Sequence, residues 1–263
     1  RVFSRTFERL YLCGMDAQTL HIDFIVPQGW HELSDKQLRY VYSLIAKGLT
    51  SDELAVLCLL RWSDTHVIGR QPSGAYLLRR KRQLFEVDAS AIAALLPHLA
   101  WLHDIPAQPV RFAKIGRQKA LPADFQGVPF ETFIVCDNLY QGFLQTQQDE
   151  LLDQLAAVLY DRKLRLSPAE RISIFYWMAA LKQFFSRRFS DFFQPLAGAD
   201  GNQLASPSIG QMLQEAMDAQ IRALTKGDIT KESEILALDT WRALTELNAQ
   251  AREYKQLQAH LKK

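Results

Sequence analysis

One change of hydrophobic period, near residue 120, constrains this chain more than any motif in it. Upstream, short stretches alternate apolar and polar residues, as strands with one buried face do, between segments of helical spacing. Downstream, the apolar residues recur at gaps of three and four, and the strand signal vanishes. Such a chain cannot build one sheet along its whole length. The pattern predicts an α+β fold, with a small N-terminal α+β unit at 15–120 followed by a mostly α-helical region at 121–263.

The first strand is expected where Leu20, Ile22, Phe24 and Val26 alternate, closed by Pro27 and Gly29. Ser34-Asp-Lys-Gln37 and Thr50-Ser-Asp-Glu53 both have the capping-box form, in which a hydroxyl accepts a helix N–H and the third side chain reaches back. Two helices should follow, the first to about Lys47 with Gly48 as its left-handed stop and Leu38, Val41, Tyr42 and Ile45 as its buried stripe. The second is apolar nearly all round. One or two hairpins are expected between Thr65 and Val87, with Arg79-Arg80-Lys81-Arg82 in the middle of the last stretch. Asp88 can cap a helix running towards Trp101, and Val110 to Ile115 reads as a last short strand.

Beyond Pro122 the spacing predicts helices over 129–144, 146–160, 168–189, 209–225 and 231–261. Ser167-Pro168-Ala-Glu170 is the firmest start, with a capping hydroxyl, a proline at the first helical position and a glutamate three residues on. Residues 195–207 are rich in Gly, Ala, Ser and Asn and read as a flexible loop. Residues 1–14 place Arg1, Arg5 and Arg9 among Phe3, Phe7 and Leu10. They read as an extension upstream of Met15 or a cloning remnant, since Leu10 to Cys13 is too short an apolar run for a secretory signal.

Composition narrows the function classes. Lys and Arg number 31 against 29 Asp and Glu, and a net charge of +2 is too near balance for the whole surface to attract nucleic acid or anionic lipid. Cys13, Cys58 and Cys136 are odd in number, far apart and without a C-x-x-C pair, which argues against a disulfide framework and for a reducing cytoplasm. No apolar run approaches the ~20 residues needed to span a bilayer, so no membrane partner is expected. His98 and His103 would point about 140° apart on a helix, and His31-Glu32 lacks the second histidine of a zincin. Nucleophile-elbow, phosphate-loop, dinucleotide and calcium-loop motifs are missing from the sequence. Asp137, Asp149, Glu150 and Asp153 read as a solvated helical face. The expectation is a protein that is not an enzyme, with no catalytic residue, cofactor or metal.

Two candidate interaction surfaces remain. Phe184, Phe185, Phe189, Phe192 and Phe193 crowd the end of one helix around Arg187 and Arg188, more aromatic surface than one buried stripe needs. In the last helix Leu244, Leu247, Ala251, Tyr254, Gln258 and Leu261 follow gaps of 3, 4, 3, 4 and 3, a heptad-like seam, with Trp241 at its start. The aromatic cluster is expected to face the protein's own core, and the distal part of the seam a protein partner or another copy of the chain. The alternative is a winged-helix-like DNA binder over residues 34–87 that uses Arg79, Arg80, Lys81 and Arg82. Its second helix is too apolar and its first turn too acidic to read base edges, so nucleic acid ranks below protein as a partner.

The blocks LPADFQGVPFETFIVCDNLYQGFLQTQQDELLDQLAAVLY at 121–160 and LDTWRALTE at 238–246 resemble uncharacterised proteins encoded among phage and prophage virion-assembly genes. The resemblance implies a tail-region structural or assembly role, similar to a tail assembly chaperone that shields a larger apolar partner. It brings no catalytic residues.

Overall fold

Ser34 and Thr50 start the two N-terminal helices by the chemistry their spacing predicts. In the computed structural model, which describes residues 26–193, 221–222, 225 and 228–261, the Gln37 side chain accepts the Ser34 N–H at 2.9 Å, and that of Glu53 accepts the Thr50 N–H at 2.9 Å. Helices α1 (Asp35–Ile45) and α2 (Ser51–Trp62) follow, joined through Gly48 at φ +69°, a conformation that costs glycine nothing. The chain divides into two units, Arg1–Pro106 and Ala107–Lys263. Of the described residues 59% are helical and 11% lie in strands, an α+β composition.

In the first unit α1 buries Leu38, Val41, Tyr42 and Leu44, while Ile45 is only half-buried. Strands β1 (Thr65–Arg70), β2 (Tyr76–Arg80) and β3 (Gln83–Val87) form an antiparallel meander in sequence order. Leu78, 1% exposed, sits between Val67 and Phe85 in the register. Indole rings pack together within this unit. Trp30 stacks on Tyr42 at 5.7 Å, Trp101 meets Trp30 edge-on at 5.6 Å, and Trp62 stacks on Trp101 at 6.3 Å. The Trp30 indole N–H is shared by the carbonyls of Trp101 and Asp104, both at 3.0 Å, and that of Trp101 goes to Pro27 at 3.2 Å.

Two expectations are corrected here. The helix from Asp88 towards Trp101 is broken into α3 (Ala89–Ala93) and a 3-10 segment (Leu96–His103). Asp88 makes no side-chain cap, and Pro97 has no N–H to continue an α-helical ladder. The strand expected over 110–115 shrinks to β4 (Lys114–Ile115), paired with β5 (Gln118–Lys119) across a turn in which Gly116 takes φ +58°. This ribbon belongs to the helical unit. Tyr160 donates its hydroxyl to the Phe112 carbonyl at 2.8 Å, and the Leu121 N–H goes to the Leu159 carbonyl at 2.9 Å.

The second unit contains α4 (Phe130–Thr146), α5 (Asp149–Leu159), α6 (Pro168–Arg188), α7 (Glu232–Leu236) and α8 (Thr240–Leu261). Phe133 meets Phe185 at 5.4 Å and Phe143 meets Phe175 at 5.9 Å, so α4 and α6 run antiparallel. Asp153 holds Arg171 and Tyr160 packs edge-on to Trp177, so α5 and α6 run parallel and residues 161–167 cross back along the unit. Trp177, Phe125, Phe133 and Leu155 are almost fully buried at the centre.

The single helix expected over 231–261 is interrupted before Thr240. Asp239 caps the new start by accepting the Arg242 N–H at 3.1 Å, and its other oxygen accepts the Gly127 N–H at 2.6 Å. The expected strand at 20–26 lies, but for Val26, outside the described residues. So do the extension at 1–14, the loop at 195–207 and nearly all of the helix at 209–225.

Candidate interaction surface

Trp241 is the hub on which the aromatic cluster closes. The Phe184, Phe185 and Phe189 rings lie 5.7, 6.0 and 5.9 Å from it, and its indole N–H donates to the Asp124 carbonyl at 2.7 Å. Phe185 and Phe189 are buried and Phe184 is half-buried. Phe192 and Phe193 pack on each other at 4.6 Å and stay half-buried. The backbone beneath them is fixed by Asn248, whose side-chain oxygen accepts the N–H groups of Asp191 and Phe192 at 2.9 and 3.0 Å.

The seam of α8 changes character along its length. Leu244 and Leu247 are 0% and 3% exposed, whereas Tyr254 is 63% exposed, as is Leu257 beside the seam. Gln258 donates to the Tyr254 hydroxyl at 2.7 Å, which keeps a polar pair on that stretch. Asp191 accepts from Arg252 at 2.9 Å and Lys255 at 2.8 Å, tying the exit of α6 to α8. These hydrogen bonds, Lys255 first and Arg252 second, hold the Asp191 carboxyl below the usual carboxylate range.

The basic tetrad sits at the β2–β3 turn. Arg79, Lys81 and Arg82 are exposed, Arg80 is half-buried, and Lys81 takes φ +54°. On the same unit Tyr40, Leu57, Leu60, His66 and Val67 line an open cavity of about 300 Å³. Arg61 lies over the Tyr40 ring at 5.8 Å. Val67, Ile68 and Leu84 are 50%, 48% and 60% exposed. Helix α2, apolar nearly all round, buries Leu54, Ala55, Cys58 and Leu59 and leaves Val56, Leu57 and Leu60 half-buried.

Asp137 is a correction. It is not solvated but buried on α4, where it accepts a hydrogen bond from Lys182 of α6. Asp153, part-buried, and Asp149, exposed, both hold Arg171, and Asp149 and Glu150 keep the solvated positions expected of them. Periodicity could not find these pairs, because each joins helices whose facing positions depend on packing. Among the described residues no group of three or more His, Cys, Asp or Glu could hold a metal ion, and no helix is long and apolar enough to cross a membrane.

No family model, curated protein or solved structure matches the chain. The two blocks singled out in the sequence are nevertheless one structural element. The Phe130 N–H goes to the Leu238 carbonyl at 2.8 Å, and Thr240 gives both its N–H and its hydroxyl to the Val128 carbonyl at 2.8 and 2.7 Å. With the Trp241 bond to Asp124, residues 121–160 and 238–246 close on each other.

Proposed function

We propose that this chain is a non-enzymatic protein-interaction component of a larger assembly, working in the cytoplasm and binding other proteins or further copies of itself. The observation that carries the reading is the change along α8, from Leu244 and Leu247 in the core to Tyr254 and Leu257 left in water. Burying a side chain of that size is worth about 1.5–3 kcal/mol, a gain open to a partner that covers it. The resemblance of residues 121–160 and 238–246 extends the proposal to a phage or prophage tail structural or assembly role. The test is a photo-crosslinking residue at Tyr254 in the full chain, expressed in its own host, with the same residue at Glu150 as control. A specific adduct at position 254 alone supports the reading, and equal labelling at both positions ends it.

The second reading is a winged-helix-like DNA-binding regulator over residues 34–87. What favours it is the exposed tip carrying Arg79, Lys81 and Arg82. Against it stands the exposed first turn of α2, Ser51, Asp52 and Glu53, which would meet phosphates with two carboxylates. No duplex binding is expected at physiological salt. A salt-sensitive gel shift abolished by Arg80→Ala with Arg82→Ala would reverse the ranking.

A further inference from the structure

The helical unit carries a second basic surface that the sequence does not display as a run. From Val110 to Lys119 there are four cations and no carboxylate, and from Asp161 to Arg165 three cations and one carboxylate. The fold brings these segments together. Both ends of the β4–β5 ribbon are hydrogen-bonded to the last residues of α5, Phe112 to Tyr160 and Leu121 to Leu159, and Arg162, Lys163 and Arg165 follow at once in the crossover. Lys114, Arg117, Lys119, Arg162, Lys163 and Arg165 are all exposed.

Two features separate this surface from an ordinary solvated face. Lys114 and Lys119 are direct cross-strand partners, so the ribbon sets two lysines side by side. Meanwhile Asp137, Asp149, Asp153 and Asp191 each hold a cation elsewhere in the unit, and none of Arg117, Lys119, Arg162, Lys163 or Arg165 has an ion-pair partner among the described residues. The two segments therefore expose Arg117, Lys119, Arg162, Lys163 and Arg165 against one carboxylate, Asp161, an excess of positive charge that an anionic group would relieve. Half-buried Val110, Leu121 and Leu164 are interleaved with the cations. Phosphates offer nothing to such side chains, whereas a protein segment carrying both carboxylates and apolar residues does.

We propose that the β4–β5 ribbon and the 161–167 crossover form the docking site for an acidic, partly apolar segment of a partner protein. This rests on the assembly reading above and adds the chemistry of one partner to it. The probe is a short labelled peptide of repeated Glu-Glu-Leu, titrated by fluorescence anisotropy against the full chain over a range of salt. A labelled DNA duplex runs in parallel.

Charge reversal by Arg162→Glu, Lys163→Glu and Arg165→Glu should weaken peptide binding by roughly tenfold or more. The same change at Arg79 and Arg82, in the other unit, should leave it within a factor of about two. Matching circular dichroism melts exclude misfolding, and Arg162→Gln with Arg165→Gln replaces the reversal if the triple variant does not fold. Unchanged binding by the variant, an equal loss from Arg79→Glu with Arg82→Glu, or tighter binding of the duplex than of the peptide would each overturn the proposal. Failure here with a persisting adduct at position 254 would leave the assembly reading standing.

Discussion

Lys182 on α6 donates a hydrogen bond to the buried carboxylate of Asp137 on α4, whose side chain is 7% exposed. The pair joins the two helices beside Tyr140, whose hydroxyl is pushed well above its ordinary pKa by burial first and by Asp137 second. Removing one partner leaves an uncompensated charge in a dry site. Lys182→Met should therefore destabilise the protein by about 3 kcal/mol, whereas Asp137→Leu with Lys182→Met should recover most of that loss. Urea melts of the three proteins check it.

Cutting the hub and cutting the seam should have opposite results. Trp241→Ala removes the ring against which Phe184, Phe185 and Phe189 close, and should cost about 3 kcal/mol or more. Leu247→Ala should cost about 2 kcal/mol or more. Tyr254→Ala and Leu257→Ala should change stability by less than about 0.5 kcal/mol, because both residues are already in water. Thermal melts decide it, and a large loss at position 254 or 257 would place the distal seam in the core.

Asp191 gives the protein an acid-sensitive latch. Its folded pKa lies below its unfolded one, so the stability it contributes is present above the ordinary carboxylate range and is lost as pH falls through the depressed value. Asp191→Asn should therefore lower the melting temperature at neutral pH and remove that part of the decline on acidification. Melts from neutral to strongly acidic pH, compared with the parent, test the sign.

The two described cysteines should be inert. Burial pushes the Cys58 thiol up to about 12, and burial with the nearby Asp137 raises that of Cys136 further. In a Cys13→Ser background, iodoacetamide at neutral pH should label neither until denaturant is added. Native labelling of either cysteine, read by mass spectrometry, would contradict its placement.

The sequence by itself determined the local starts and stops. Ser34, Thr50 and Ser167 cap helices in the way their side chains dictate, and Gly48 ends α1, because these effects act within a turn and need no distant partner. Tertiary structure alone decided which charges pair, which half of the α8 seam is covered, and that Asp239 rather than the helical period sets where α8 begins. It decided too that the cation-bearing β4–β5 ribbon is hydrogen-bonded to the residues just before the cations of the 161–167 crossover. Period and capping are short-range properties, whereas the Asp137–Lys182 pair and the Trp241 hub exist only once α4, α6 and α8 have packed against one another.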